Sequence, residues 1–309
     1  MDEFTLIKNY FQKNAISRAE VKFGIGDDCA CIKAPPDKDL LISIDTLVRG
    51  VHFLPTIDPY AIAYKAVMVN ISDCVAMAAE PFAVLLALTI EEVNENWLER
   101  FSRGLKDALA KYNIALIGGD LTRGPLSITI TIQALAPSGK AVYRHGARAG
   151  DIIYVSGYLG LAAYAVKNRA LNELDKFTQA LHYPTPRVDL IAILRAYATS
   201  AIDISDGLLA DLNHICTASK LGASIDLAAI PREKLNEDML DFALNGGDDY
   251  EICFTIPKAS QKSFLAMLAK AKLKCYAIGV MQQELGIFTK EAVKLLPQGY
   301  MHFKDLHDE

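Results

Sequence analysis

The feature of this sequence that most restricts its fold is the way short apolar runs stop on aspartate. Leu40 to Ile44 ends at Asp45, Ala201 to Ile204 carries Asp203 and runs into Asp206, and Ile114 to Ile117 leads into Gly118-Gly119-Asp120. Runs of this length, rich in Ile, Leu and Val, read as buried strands. Ala83 to Ile90 and Ser127 to Leu135 add two more, the latter alternating Ile128, Ile130 and Ile132. Helical patterns lie between them. Asp58-Pro59 is an N-cap followed by proline at the first helical position, and Ile62, Ala63, Ala66, Val67 and Val69 carry a helix toward Glu80-Pro81, with Asp73 inside it. A second helix is expected from Asn96 to about Tyr112.

From Ala136 to Asp151 the sequence turns to Pro137, Gly139, Gly146 and Gly150, which places a domain boundary there. The second half repeats the mixed pattern. A strand is expected at Ile152 to Val155, a helix opening at Thr185-Pro186, a strand at Ala201 to Ile204 and a helix from about Gly207 to Ser219. Strands near 223–228 and 250–256 and a helix over 260–271 complete it. With 309 residues, 51% of them apolar, the chain exceeds one ordinary core. The expectation is therefore an α+β protein of two mixed α/β domains, residues 1–137 and 138–309. Gly-Gly-Asp occurs in each half, at 118–120 and 246–248.

A net charge of −5 without a basic stripe argues against nucleic acid or an anionic membrane as partner and favours a small ligand. The start, MDEFTLIKNY, has no basic segment followed by an apolar one, and no apolar stretch approaches the ~20 residues of a membrane span. Cysteines at 29, 31, 74, 216, 253 and 275 form no C-x-x-C pair and read mostly as reduced core thiols, with Cys29 beginning a buried strand. Together these point to the cytoplasm.

Asp27, Asp28, Asp45, Asp120, Asp203, Asp206, Asp248 and Asp249 fall at strand ends or glycine turns, where loops converge. Each taken singly is an ordinary turn former or helix cap. Asp73 is different, because a carboxylate among Ile71, Val75, Ala76 and Met77 needs a partner or a cation. Gathered carboxylates repel unless a hard cation sits among them, and magnesium suits an all-oxygen set. No zinc spacing, calcium loop, G-x-x-x-x-G-K-[ST] or protein-kinase motif is present. A nucleotide site in this chain would have to be built from carboxylates and metal.

"GIGDDCA" (24–30), "SIDTLVRGVHF" (43–53), "NISDCVAM" (70–77), "LIGGDLTRGP" (116–125), "AIDISDGLLADL" (201–212) and "GGDDYEICF" (246–254) together resemble the thiamine-monophosphate kinase family of the aminoimidazole-ribonucleotide-synthetase-like superfamily. The resemblance spans nearly the whole chain, in order. It implies phosphorylation of thiamine monophosphate by ATP with several Mg2+ ions, in a homodimer paired through its N-terminal sheets. It further implies metal ligation by Asp28, Ser43, Asp45, Asp73, Asp120, Asp203 and Asp206, with Asp45, Asp73 and Asp120 central to catalysis. Gly119, Asp120, Arg144 and Ser205 would contact ATP, and His52, Asp248 and Tyr300 the thiamine phosphate. The chain departs from the family pattern at Asp248, where Glu is usual, and at Ile44, where a polar residue commonly precedes D-T-L-V.

A phosphate-monoester acceptor has its second pKa near ~6, so it is largely ionised at neutral pH and needs no strong base. Direct in-line transfer then requires charge neutralisation above all. The alternatives are another ATP-using synthetase of the superfamily and a non-catalytic nucleotide or metal sensor. An aspartyl-nucleophile phosphatase is disfavoured because Leu47 stands where its second acid belongs.

Overall fold

The computed structural model describes residues 3–13, 16–168, 175–236 and 238–300. The chain divides into two compact units, residues 1–74 with 79–141, and residues 75–78 with 142–309.

The first unit begins with a short helix, α1 (Glu3–Leu6), which continues as a wider turn to Gln12. A two-stranded ribbon of β1 (Val21–Phe23) and β2 (Cys31–Ile32) follows. Cys29 and Cys31 are exposed, so Cys29 does not begin a buried strand; Cys74, Cys216 and Cys253 are core thiols as expected. The main sheet has the order β3-β6-β4-β5, with β3 (Lys38–Val48), β4 (Glu80–Ile90), β5 (Ala115–Arg123) and β6 (Ser127–Pro137). Ile128, Ile130 and Ile132 are buried on one face, as their alternation predicts.

Helix α2 (Pro59–Ala76) starts where Asp58 Oδ1 accepts from the Tyr60 N–H. Most of its side chains are buried on every side, which makes it a core helix rather than an amphipathic one. Helix α3 (Glu95–Lys111) is amphipathic and capped by Asn94, whose side chain accepts from the Trp97 N–H. A Cβ on Gly104 would lie 2.2 Å from the Tyr60 carbonyl oxygen, so α2 and α3 touch backbone to backbone there.

The second unit is built on the sheet β13-β12-β9-β11-β7-β10-β8. Its strands are β7 (Ile152–Val155), β8 (Ser200–Asp203), β9 (Gly222–Ile225), β10 (Ile252–Ile256), β11 (Tyr276–Gln282), β12 (Ile287–Thr289) and β13 (Lys294–Leu295). The helices are α4 (Leu161–Lys167), α5 (Lys176–His182), α6 (Ile191–Tyr197), α7 (Leu208–Ser219), α8 (Asp238–Asn245) and α9 (Gln261–Ala271). Ile202, Leu208, Leu212, Ile225, Cys253 and Ile278 share one buried core. The helix expected at Thr185-Pro186 opens later, at Ile191, after a 3-10 turn over Val188–Leu190.

Candidate functional site

Two strand expectations are corrected by the sheet of the first unit. β3 does not stop at Asp45 but continues to Val48, because it pairs with β6 over its whole length, from Lys38 opposite Pro137 to Val48 opposite Ser127. Likewise Asp120 lies within β5, paired beside Ala87 of β4, rather than in a turn after it. In β3, Ser43 lies opposite Ile132 and Asp45 opposite Ile130, so both face the buried side of the sheet.

Helix α2 delivers Asp73 to that face, where its Oδ2 accepts a 2.5 Å hydrogen bond from the Ser43 hydroxyl. Burial, and then the nearby charge of Asp73, push the Asp45 carboxyl from its ordinary 3.8 up to about 6. Two carboxylates and a hydroxyl thus share one half-buried place. Among the described residues no group of three His, Cys, Asp or Glu side chains gathers to hold a metal ion. The oxygen set of Asp45, Asp73 and Ser43 nevertheless fits magnesium, which takes one or two carboxylates and keeps waters or phosphate oxygens for the rest. Mutual repulsion of the two acids is what such a cation would relieve.

A pH test follows from the raised Asp45 value. An acid whose folded pKa lies above its unfolded one stabilises the fold below the unfolded value and loses that contribution as pH rises through the folded one. Between pH 3.8 and about 6 the metal-free protein should lose about 3 kcal/mol from this group. Denaturation in chelator across that range checks it, with Asp45→Asn expected to remove this part of the slope.

Gly119 occupies the same sheet row as Asp45, through Ile130 and Leu86. Its φ is +149°, and a Cβ there would lie 1.8 Å from the Leu86 carbonyl oxygen, so no other residue fits. Asp120 belongs to the next row, with Ala87, Thr129 and Thr46, on the opposite face. β3 and β5 are also the two edges of the sheet, about 14 Å apart at strand spacing. The first unit therefore does not bring Asp120 to Asp45 and Asp73. Asp28 is exposed in the turn before β2, and its N–H donates to Asp27 Oδ1, which makes Asp27 a turn acid. His52 folds back on the end of β3, where its Nδ1 accepts from the Val48 N–H at 3.0 Å.

The second unit gathers its acids around two adjoining loops. Asp203 ends β8 and is buried, and Ser205 and Asp206 follow, half-buried. The loop 246–251 lies against them: the Asp248 N–H donates to the Ser205 carbonyl, and the Tyr250 N–H to the Ile204 carbonyl. The Tyr300 N–H donates to the Asp206 carbonyl, so Tyr300 joins this loop through its backbone while its ring is half exposed. Asp248 has a left-handed φ of +68°, a conformation Asp tolerates, and its Oδ1 accepts from the Tyr250 hydroxyl. Arg144 is exposed and sits near the other end of β8, just after Tyr143, whose carbonyl accepts from the Ala201 N–H.

Asp211, Glu251 and Arg187 were not singled out in the sequence, and Asp249 was given no role beyond a turn acid. Asp211 Oδ2 accepts from the backbone N–H groups of Ser205, Asp206 and Gly207. Its carboxyl is pushed up to about 7 by burial and by Asp206, against the lowering effect of those hydrogen bonds. Asp249 accepts from the Gly160 N–H, and burial holds its carboxyl well above the ordinary range. Glu251 is raised by burial but drawn down by Arg187, whose Nη1 lies 3.0 Å from Glu251 Oε2; the Ser156 hydroxyl also donates to Glu251. Asp211, Asp249 and Glu251 lie inside "ISDGLLAD" and "GGDDYE", so their motifs were visible. Arg187 carried no signal.

The N-terminal domain described as AIR synthase related protein matches residues 26–136, and the corresponding C-terminal domain matches residues 148–289. The chain is 42% identical to the thiamine-monophosphate kinase of Haemophilus influenzae, in an alignment covering 99% of each protein. It superposes on the crystal structure of thiamine-monophosphate kinase from Stenotrophomonas maltophilia with a TM-score of 0.84 at 37% identity, covering 90% of this chain and 93% of that one. A structure of AaThiL complexed with AMPPCP and TMP gives a TM-score of 0.79 at 30% identity, covering 88% and 89%.

Proposed function

We propose, from the premise that this chain belongs to the thiamine-monophosphate kinase family of AIR synthase related proteins, that it transfers the γ-phosphoryl group of ATP to thiamine monophosphate. The observation that carries this reading is the pairing of Asp45 with Asp73 and Ser43 on the buried face of β3, in a chain alike over its length to such kinases. The relative that holds AMPPCP and TMP supports the same pair of substrates.

Both substrates are polyanions, so the site must neutralise charge before the oxygen of one phosphate can approach the phosphorus of the other in line. Asp45, Asp73 and Ser43 would hold magnesium, whose chemistry there is to bind phosphate oxygens and offset their charge. Asp28, Asp120, Asp203 and Asp206 are further ligand candidates from the family pattern. Gly119, Ser205 and Arg144 are assigned to ATP, the last as an exposed cation. His52, Asp248 and Tyr300 are assigned to the thiamine phosphate. Because the acceptor is already ionised, none of these residues has to act as a strong base.

The same reading includes a homodimer joined through the first-unit sheets. Its support is the outer face of the edge strand β3, where Ile42 and Ile44 are 62% and 61% exposed and Leu40 stands beside them. A cytoplasmic location is part of the proposal. No described helix is long and apolar enough to cross a membrane, and all six cysteines are free.

The test is incubation of the pure protein with ATP, magnesium and thiamine monophosphate. Thiamine diphosphate should appear in step with ADP. Binding of nucleotide and metal without diphosphate would leave a sensor instead. Mass spectrometry of the ATP-treated protein should find no phosphoaspartate; one that turned over into product would replace direct transfer with a two-step route.

A further inference from the structure

We infer that Asp211 is a positioning residue that takes up the amides of Ser205, Asp206 and Gly207 just ahead of α7, so that these three residues meet a nucleotide through the side chains of Ser205 and Asp206 and through the metal that nucleotide carries. This inference rests on the nucleotide reading above and concerns how the same site selects its ligand.

A helix N-terminus ordinarily offers free N–H groups and a positive dipole end, and is a ready site for phosphate. Here the three amides just ahead of the helix are taken from within. Side chains on a helix tilt back toward its N-terminus, and Asp211, in the first turn of α7, uses that tilt to put Oδ2 against the N–H groups of Ser205, Asp206 and Gly207, at 3.1, 3.1 and 3.2 Å. Asp211 is only 2% exposed, so its carboxylate belongs to the fold and not to a ligand.

The carbonyls of the same residues are engaged as well. Ser205 O accepts from the Asp248 N–H, Asp206 O from the Tyr300 N–H, and Gly207 O from the Asp211 N–H. With both backbone groups of all three residues committed, what Ser205, Asp206 and Gly207 retain for a ligand is a hydroxyl and a carboxylate. Those are oxygen donors suited to a hard cation, and the carboxylate repels a bare phosphate. The loop is therefore built to favour the magnesium-loaded nucleotide over the free one, and Asp211 is what prevents its amides from binding either.

Calorimetry with AMPPCP, in magnesium and separately in chelator, tests this on the intact protein, with melting curves as the control for folding. The wild type should bind the magnesium form more tightly. Asp211→Ala should lose about tenfold or more of the affinity in magnesium, since the loop loses the acceptor that three N–H groups share, while affinity in chelator stays the same or rises. Asp211→Asn retains an oxygen acceptor and should show a smaller loss of the same kind. Equal losses in both conditions would mean general damage and overturn the inference, as would no loss in either. If Asp211→Ala does not fold, Asp211→Asn decides alone, and an unchanged magnesium preference in it overturns the inference. A wild type that binds no nucleotide at all would overturn the kinase reading beneath it.

Discussion

Asp45→Asn is expected to lower turnover by about a hundredfold or more while the protein remains folded. Asn keeps the volume and one oxygen, but it gives up the charge that a hard cation needs. Stability should change in the opposite direction. Asp45 sits where burial and Asp73 already oppose its ionisation, so removing the charge relieves the metal-free fold at neutral pH. A mutation that raises the melting temperature in chelator and nearly abolishes turnover marks a residue kept for chemistry rather than for packing. Asp73→Asn should behave alike, and the double variant should lose little more than either single one, because groups that hold one ion act as a unit. Steady-state rates beside melting curves decide it. A fully active Asp45→Asn would remove this pair from the site.

Arg187→Ala is expected to destabilise the second unit by about 3 kcal/mol, toward the lower end for breaking a mostly buried pair, since neither side chain is wholly enclosed. The loss comes less from the missing attraction than from Glu251, left with its charge among buried neighbours. Glu251 already has a raised pKa, and removing Arg187, which lowers it, raises it further. The destabilisation should therefore shrink as pH falls and Glu251 takes up a proton, and Glu251→Gln should recover part of it at neutral pH. Chemical denaturation of the three variants at two pH values measures this. Because Glu251 follows Asp248 and Tyr250 in the same loop, the variant should also raise KM for the acceptor more than for ATP.

The alternation of Ile128, Ile130 and Ile132, the Asp58-Pro59 start of α2 and the aspartates of the glycine-rich motifs were legible because each is a local signal with a local cause. The extent of β3 was not. Ser43, Asp45 and Thr46 look like the polar end of a strand, and only the full-length ladder with β6 keeps the backbone extended through them. Gly118-Gly119 looks like a turn for the same reason, until the neighbouring strand β4 is there to pair with it. Helices α4 and α5 have seven residues each, too few for a periodic apolar stripe, although Asp175 and Thr178 form a capping box at the start of α5. Asp73 was the one acid whose surroundings in the sequence already required a partner. Asp211 carried no signal of its own, since its role depends on amides that become neighbours only when α7 forms.

β3 has one further consequence. Ser43 and Asp45 look inward to α2, while Ile42 and Ile44 look outward, and the ladder with β6 is the device that keeps the two sets apart. A strand read on both faces has no spare residue. A single insertion or deletion between positions 38 and 48 would turn the acids out and the isoleucines in over everything beyond it. Length variation among sequences of this kind should accordingly be absent from β3 and should collect in the turn that follows it, so that the spacing of this one strand constrains assembly and chemistry together.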